Sequence, residues 1–272
     1  MLDQKEEIID FEGPIVEYNF HAHTKRCGHA IGEDYEYVEA AIKKGYKVLG
    51  ISDHCPHKEL SLPDQRMEWS EFPEYLESIH ELRKKYSDKI DIYVGLECEC
   101  YDYHLSQLKE LKEYVDYLIL GQHHYIENQI TKSYRSNQEL TSMLEDMKCG
   151  IEEGLFLYIA HPDYFLKERP LWDEVAINVT HALCHLSKKY DLPLELNHKM
   201  LKTAKHEKPE SWESSLSFWK MVKDYDCKVC IGMDIHNPKK FFDDTSTELM
   251  IIDILKLNVI SKEELIKKIK NT

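Results

Sequence analysis

Residues 20–23 read Phe20-His21-Ala22-His23 and end the first apolar run of the chain. Alternate residues of a strand share a face, so these two imidazoles can meet at one point. Asp234-Ile235-His236 repeats the arrangement after the last comparable run. Imidazole and carboxylate are the usual ligands of zinc, iron and manganese. Two such pairs at opposite ends of one chain suggest a barrel-like closure with a metal centre at its mouth.

Between these ends the same kind of boundary recurs. Val48-Leu49-Gly50-Ile51-Ser52 leads to Asp53-His54, and Ile92-Tyr93-Val94-Gly95-Leu96 leads to Glu97. Tyr117-Leu118-Ile119-Leu120-Gly121 leads to Gln122-His123-His124. Phe156-Leu157-Tyr158-Ile159-Ala160 leads to His161-Pro162-Asp163, and Pro193-Leu194-Glu195-Leu196 to Asn197-His198. In barrels of parallel strands the active site lies at the strand C-terminal ends.

Strands are expected at 16–22, 47–52, 91–97, 117–121, 156–160, 192–196 and 227–233. Helices are expected at 33–45, 70–86, 103–114, 136–153, 171–190, 210–224, 245–256 and 261–270. Ser70 is a candidate cap for 70–86, with Glu71 and Glu74 in the first turn. Ser261 and Glu264 have capping-box spacing. Strand–helix alternation implies right-handed βα units on a mainly parallel sheet. Metal-type residues after both the first and last of these strands favour a closed or nearly closed barrel. No linker or repeat divides the 272 residues. One domain is expected over 1–272, with its core at about 16–240 and C-terminal helices at 245–270.

The formal charge of −15 argues against a binder of nucleic-acid backbones, and no basic patch with interleaved aromatics is present. No apolar run approaches the roughly 20 residues of a membrane span. The chain starts Met1-Leu2-Asp3-Gln4-Lys5-Glu6-Glu7, with no signal-peptide pattern, and this acidic segment is expected to be a solvated tail. The eight cysteines show no zinc-ribbon spacing, and Cys227-Lys228-Val229-Cys230 reads as two half-buried thiols. A reducing cytoplasm is the expected setting.

The ordered set of His-x-His, Asp-His, Gly-Leu-Glu, His, His-Pro-Asp and Asp-x-His resembles the polymerase-and-histidinol-phosphatase (PHP) family, from about Val16 to His236. Within it, Arg66-Met67 through Glu97 resembles the histidinol-phosphatase branch. The resemblance implies an α/β fold, a distorted (β/α)7 barrel with up to three metal ions at the C-terminal ends of the strands. It implies that His21, His23, Glu97 and Asp234 hold the first ion. Glu97 would bridge to a second, held by His124 and His161. His29, His54 and His236 would hold a third. A bridging carboxylate can hold two cations about 4 Å apart while imidazoles fill the other positions without adding charge. His123 and His124 are adjacent, so only one faces inward if the strand continues; the resemblance selects His124.

The expected activity is metal-dependent hydrolysis of a phosphomonoester by a metal-bound hydroxide, using two or three zinc, iron or manganese ions. Glu97 is the expected bridge. Asp163 and His198 are candidates to protonate the leaving group. Arg66, Arg135, Lys167, Arg169 and Lys202 are candidates to clamp phosphate. The partner is a small phosphorylated metabolite, with L-histidinol phosphate the implication of the branch. That branch commonly carries Gly and Arg after strand six, whereas this chain reads Asn197-His198-Lys199-Met200-Leu201-Lys202. Lysine supplies charge but not arginine's fork, so another small phosphate ester stays open.

An amidohydrolase would share the barrel, the first histidine pair and the final aspartate. It normally relies on a bridging lysine or another histidine spacing, and no lysine stands at a strand end. A nucleic-acid-processing role is opposed by the acidic charge. His80, His104 and His206 are expected at the surface. His181 and His185 are four apart on one helix but lack the acidic partner of a metalloprotease helix. His57, just past the Asp53-His54 turn, is a candidate for substrate contact.

Overall fold

The computed structural model describes residues 15–127 and 130–271. Its strands are β1 (Tyr18–Asn19), β2 (Val48–Ile51), β3 (Asp91–Cys98), β4 (Tyr117–Leu120), β5 (His124–Glu127), β6 (Ile130–Ser133), β7 (Leu194–Asn197), β8 (Lys228–Gly232) and β9 (Asn258–Val259). Its α-helices are α1 (Asp34–Lys44), α2 (Phe72–Lys85), α3 (Leu105–Lys112), α4 (Asn137–Glu152), α5 (Phe165–Glu168), α6 (Glu174–Tyr190), α7 (His198–His206), α8 (Trp212–Asp224), α9 (Ser246–Leu255) and α10 (Lys262–Asn271).

β1, β2, β3 and β4 pair in that order, all parallel. β7, β8 and β9 form a second parallel set. Ile159 links the two sets by single parallel bridges to Leu120 and Leu194. The expected strand at 156–160 is thus an extended segment held by Leu157 N–H to Leu118 O (2.8 Å) and Ala160 N–H to Leu120 O (2.9 Å). A further parallel bridge joins Ala22 to Ile235, with His23 N–H donating to Ile235 O at 2.8 Å. The two ends of the chain's histidine pattern are therefore hydrogen-bonded neighbours. The outcome is an α/β fold with a curled, mainly parallel strand system.

β2, β4 and β7 are buried along their whole length, as parallel strands covered on both faces are; β2 and β4 are unbroken apolar runs, whereas β7 carries Glu195 and Asn197. One side chain set, including Leu49, Ile51, Val94, Leu96, Leu118 and Leu194, packs with the helices. The alternate set, including Phe20, Tyr117, Ile119 and Cys230, forms a second cluster into which α10 inserts Leu265 and Ile269. The Tyr117 ring lies so close to Gly50 and Gly95 that a Cβ at either would approach it within 2.1 and 2.2 Å.

Helix positions follow the expected ones closely, but two local readings change. Ser70 lies inside a 3-10 turn, Trp69–Glu71, that precedes α2, and does not cap it. A reciprocal Glu68–Glu71 capping box starts that turn, and Pro73, which has no N–H to cap, lies in the first turn of α2. The segment after the sixth expected strand, where no helix is expected from the sequence, is α7, and Asn197 accepts a hydrogen bond from Met200 N–H as its N-cap. The antiparallel hairpin β5–β6 was not expected either. Ser261 and Glu264 do form the anticipated box, at 3.2 and 3.1 Å. Cys227 and Cys230 are fully rather than half buried. The acidic N-terminal segment lies outside the described residues. Among these residues no helix is long and apolar enough to cross a membrane.

Candidate metal centre

Glu97, near the end of β3, is the hub. Gly121 faces it, and a Cβ at that position would lie 2.1 Å from Glu97 Oε1, so a larger residue would displace the carboxylate. Oε1 lies 3.4 Å from His21 Nε2, 2.7 Å from His161 Nε2 and 3.3 Å from His123 Nε2. Oε2 lies 3.3 Å from His23 Nε2 and 3.1 Å from His54 Nδ1. Strand pairing produces this crowding: Glu97 N–H donates to Asp53 O (3.1 Å) and Cys55 N–H to Glu97 O (2.8 Å), which registers the Asp53-His54 turn beside β3.

Asp234 closes the ring from the other end of the chain. Its Oδ1 is 3.7 Å from His21 Nε2, 3.6 Å from His23 Nε2 and 3.1 Å from His236 Nδ1. His236 Nε2 is 3.0 Å from His29 Nε2, which places the Cys27-Gly28-His29 turn at the site. Both Asp234 (φ 51°) and His161 (φ 29°) hold positive φ without being glycine. Such strain concentrates where the surroundings over-determine a functional geometry.

The donor atoms of His21, His23 and Glu97 lie within 4.8 Å of one another, as do those of His21, His161 and Asp234. The same holds for His54, Glu97 and His123, and for His29, His54 and His236. Buried His21 Nε2, His23 Nε2 and His54 Nδ1 have no hydrogen-bond partner among the described residues. A buried polar atom left unpaired costs about 1–3 kcal/mol. Divalent cations would satisfy these lone pairs, and the residues fit such ions.

The electrostatics of Glu97, Asp234, His23 and His54 agree. Burial would raise Glu97, but His123, His21 and His54 hold it well below the usual carboxylate range. Burial opposes ionisation of Asp234 too, yet Lys199, His21 and His236 hold it well below its ordinary value. Burial drives His23 and His54 well below the ordinary imidazole value. Ionised carboxylates and neutral imidazoles are the ligating forms. Burial would also lower His21, but Glu195, Glu97 and Asp234 lift it well above.

Outside the candidate ligands stand three more carboxylates, of which the sequence reading missed Glu195 and Glu99. Glu195 on β7 places Oε1 2.8 Å from His21 Nδ1. Its Oε2 accepts from His161 N–H (2.9 Å) and Asn197 Nδ2 (2.8 Å). Glu99 places Oε1 3.0 Å from His123 Nδ1 and takes both terminal nitrogens of Arg66, at 3.0 and 3.4 Å. Two residues after Glu97, its spacing was a readable signal. Asp53 Oδ1 accepts from Thr24 N–H at 2.7 Å and Oδ2 from Thr24 Oγ1 at 2.8 Å, pinning the His23 turn to β2.

His123 and His124 differ from expectation. β4 stops at Leu120, so the alternation rule ends there, and both histidines line one cavity of about 300 Å³. It is His123 that reaches Glu97; His124 Nε2 lies 3.7 Å from Glu99 Oε1. Burial alone would lower both, but Glu97 and Glu99 raise His123 to about 9, while His124 falls to about 4.

The remaining candidates divide. Arg66, Lys167 and the unanticipated Lys199 line the same cavity. Arg66 is only 2% exposed and committed to Glu99. Lys199 Nζ lies 3.5 Å from Asp234 Oδ1 and 3.2 Å from His236 Nδ1. Arg135, 69% exposed, pairs with Glu168 at 3.0 Å. Arg169 pairs with Asp173 in the connection between α5 and α6, and Lys202 with Asp243 at 2.6 Å. Asp163 accepts from Ser215 Oγ at 2.7 Å. His198 Nδ1 meets Glu248 at 2.7 Å, and its Nε2 lies 3.5 Å from Asp243. These pairings draw Asp163 and His198 toward α8 and α9 rather than toward Glu97. His104, expected at the surface, stacks on His57 with centroids 4.0 Å apart. His181 is exposed and bonded to Tyr225.

Comparison with known proteins places this geometry in context. A family profile described as PHP domain matches residues 19–199. A protein of Deinococcus radiodurans named "Probable histidinol-phosphatase" is 29% identical over 177 residues, 60% of this chain and 66% of that one. The histidinol-phosphatase of Bacillus subtilis is 29% identical over 85 residues, 29% of this chain and 32% of that one. The matched stretches thus span just under two thirds of the first relative and about a third of the second. A histidinol phosphate phosphatase from Lactococcus lactis, solved with zinc, L-histidinol and phosphate, shares the fold at a TM-score of 0.69 and 15% identity, over 89% of this chain and 95% of that one.

Proposed function

The chain belongs to the PHP-domain family, and on that premise we propose that it is a metal-dependent phosphomonoester hydrolase of the histidinol-phosphatase type. The observation that carries this reading is the carboxylate of Glu97 with five imidazoles within 3.4 Å of its two oxygens. One four-coordinate ion cannot use so many donors, so two or three ions are proposed. His21, His23, Glu97 and Asp234 would hold one; Glu97 and His161 share in a second; His29, His54 and His236 would hold a third. Zinc, iron or manganese held there supplies an acidified water at neutral pH and offsets charge on the phosphoryl oxygens.

The chain's own residues complete the chemistry. Lys167 and Lys199 border the cavity, so a phosphate dianion held there would meet positive charge. Tyr164 meets His123 edge-on with centroids 5.0 Å apart and His161 at 5.2 Å, so its ring packs beside both imidazoles. Glu195 holds His21 with Nε2 turned to Glu97, which fixes a ligand before substrate arrives. The bridges through Ile159 and between Ala22 and Ile235 support reading the curled strands as the distorted seven-stranded (β/α) barrel. A small phosphorylated metabolite in a cytoplasmic setting goes with this reading.

L-histidinol phosphate is the first substrate to test, because the curated relatives carry that name. Phosphate release with added manganese or zinc should be compared across L-histidinol phosphate, sugar phosphates, a phosphodiester and an amide. Preference for monoesters is expected. An amide or an oligonucleotide as the best substrate by a wide margin would overturn the proposal; a different monoester would change only the substrate.

A further inference from the structure

We infer that His123 is a ligand of a cation shared with Glu97, and that Glu99, held by Arg66, orients it. The inference rests on the metal-dependent reading above and goes beyond it, because the family resemblance selects the neighbouring His124. Arg66 donates to both oxygens of Glu99, at 3.0 and 3.4 Å. A guanidinium has donors and no acceptor, so it stabilises Glu99 as a carboxylate. A carboxylate can only accept, so the 3.0 Å contact with His123 Nδ1 puts a proton on that nitrogen. His123 Nε2 then faces Glu97 Oε1 at 3.3 Å. A cation shared with Glu97 would take the place of a proton in that gap, and the donor atoms of His54, Glu97 and His123 already lie within 4.8 Å of one another.

The same relation exists across the site. Glu195 holds His21 Nδ1 at 2.8 Å, and His21 Nε2 lies 3.4 Å from the same Glu97 oxygen. Carboxylate–imidazole–metal units of this kind fix ring orientation and raise ligand basicity. His124 has no such relation to Glu97; its near carboxylate is Glu99 itself, at 3.7 Å.

Arg66 is in turn fixed. Its Nη1 donates to Cys55 O at 3.0 Å and to His57 Nε2 at 2.8 Å. His57 must accept there, so its Nδ1 carries the proton and donates to His104 Nε2 at 2.6 Å. Arg66 and His57 therefore act as positioning residues behind Glu99.

The test is metal binding by the full chain, stripped with chelator and titrated with zinc or cobalt(II), with ions counted by elemental analysis. Wild-type protein that binds no ion would remove the metal reading itself. With wild type loading more than one ion, His123→Ala is expected to lose about one ion per chain, while His124→Ala keeps wild-type loading. Glu99→Gln keeps the shape and is expected to weaken the most labile ion about 10–100-fold, with full loading at excess metal. Circular dichroism melts separate these effects from misfolding; should His123→Ala not fold, His123→Asn replaces it. Wild-type loading and affinity in the folded His123 variant would overturn the assignment, whatever His124→Ala does. Wild-type affinity in Glu99→Gln would remove Glu99 from it.

Discussion

Glu195 Oε1 stands 2.8 Å from His21 Nδ1, and both residues are fully buried although 174 positions separate them. The contact makes one nitrogen of His21 the donor and leaves the other for Glu97's side of the site. Replacement by Gln keeps the shape but loses the charge. Glu195→Gln should weaken metal binding about 10–100-fold with little change in fold. Competition against a chromophoric chelator measures it, and unchanged affinity would show that Glu195 serves packing alone.

The same carboxylate has a steric dependence on its neighbour in β8. A Cβ on Gly232 would lie 1.6 Å from Glu195 Oε1. Gly232→Ala should therefore push Glu195 off His21 and cost about 1–3 kcal/mol through overpacking. A denaturant midpoint and a metal titration read the two consequences separately. Wild-type values in both would mean that β8 yields more easily than its pairing with β7 implies.

Glu97→Gln should lower phosphatase turnover by orders of magnitude with the fold intact. Its two oxygens face different imidazoles, and an amide offers only one acceptor oxygen to a cation. Turnover near wild type at matched metal content would mean that Glu97 is not shared between ions.

Asp53 yields a pH dependence. Burial raises it from 3.8 to about 8, against the two hydrogen bonds from Thr24. The native state thus binds this proton more tightly than the unfolded chain does. Its contribution to stability is complete below about pH 4 and is lost as pH rises toward about 8. In metal-free protein, melting temperature should fall less over that range in Asp53→Asn than in wild type. Equal slopes would show that Asp53 stays ionised throughout.

Much of this candidate site was legible because the residues proposed as ligands follow apolar runs in a fixed order. His21, His23, His54, Glu97, His161, Asp234 and His236 all stand just beyond such runs, and the structure gathers them. Glu195 was hidden for the opposite reason: it lies inside the run Leu194-Glu195-Leu196 and reads as an ordinary strand residue. The choice between His123 and His124 needed the end of β4 and the β5–β6 hairpin, which local pattern did not mark. The basic residues were least legible. Whether a lysine or arginine clamps phosphate depends on which acid already holds it, as Arg66 with Glu99 and Lys202 with Asp243 illustrate. Lys199, the first residue after the His198 that opens α7, became visible only once that segment was a helix with Lys199 Nζ 3.5 Å from Asp234 Oδ1.

The central claim is that this site hydrolyses a phosphomonoester through more than one bound metal ion. It is tested most directly by phosphate release from L-histidinol phosphate and a panel of other monoesters, using chelator-stripped protein before and after graded addition of zinc or manganese, with ions counted in the same samples. The account predicts negligible release without metal, recovery that follows loading, and more than one ion per chain at saturation. Full loading at one ion or fewer, or equal release with and without metal, would contradict it.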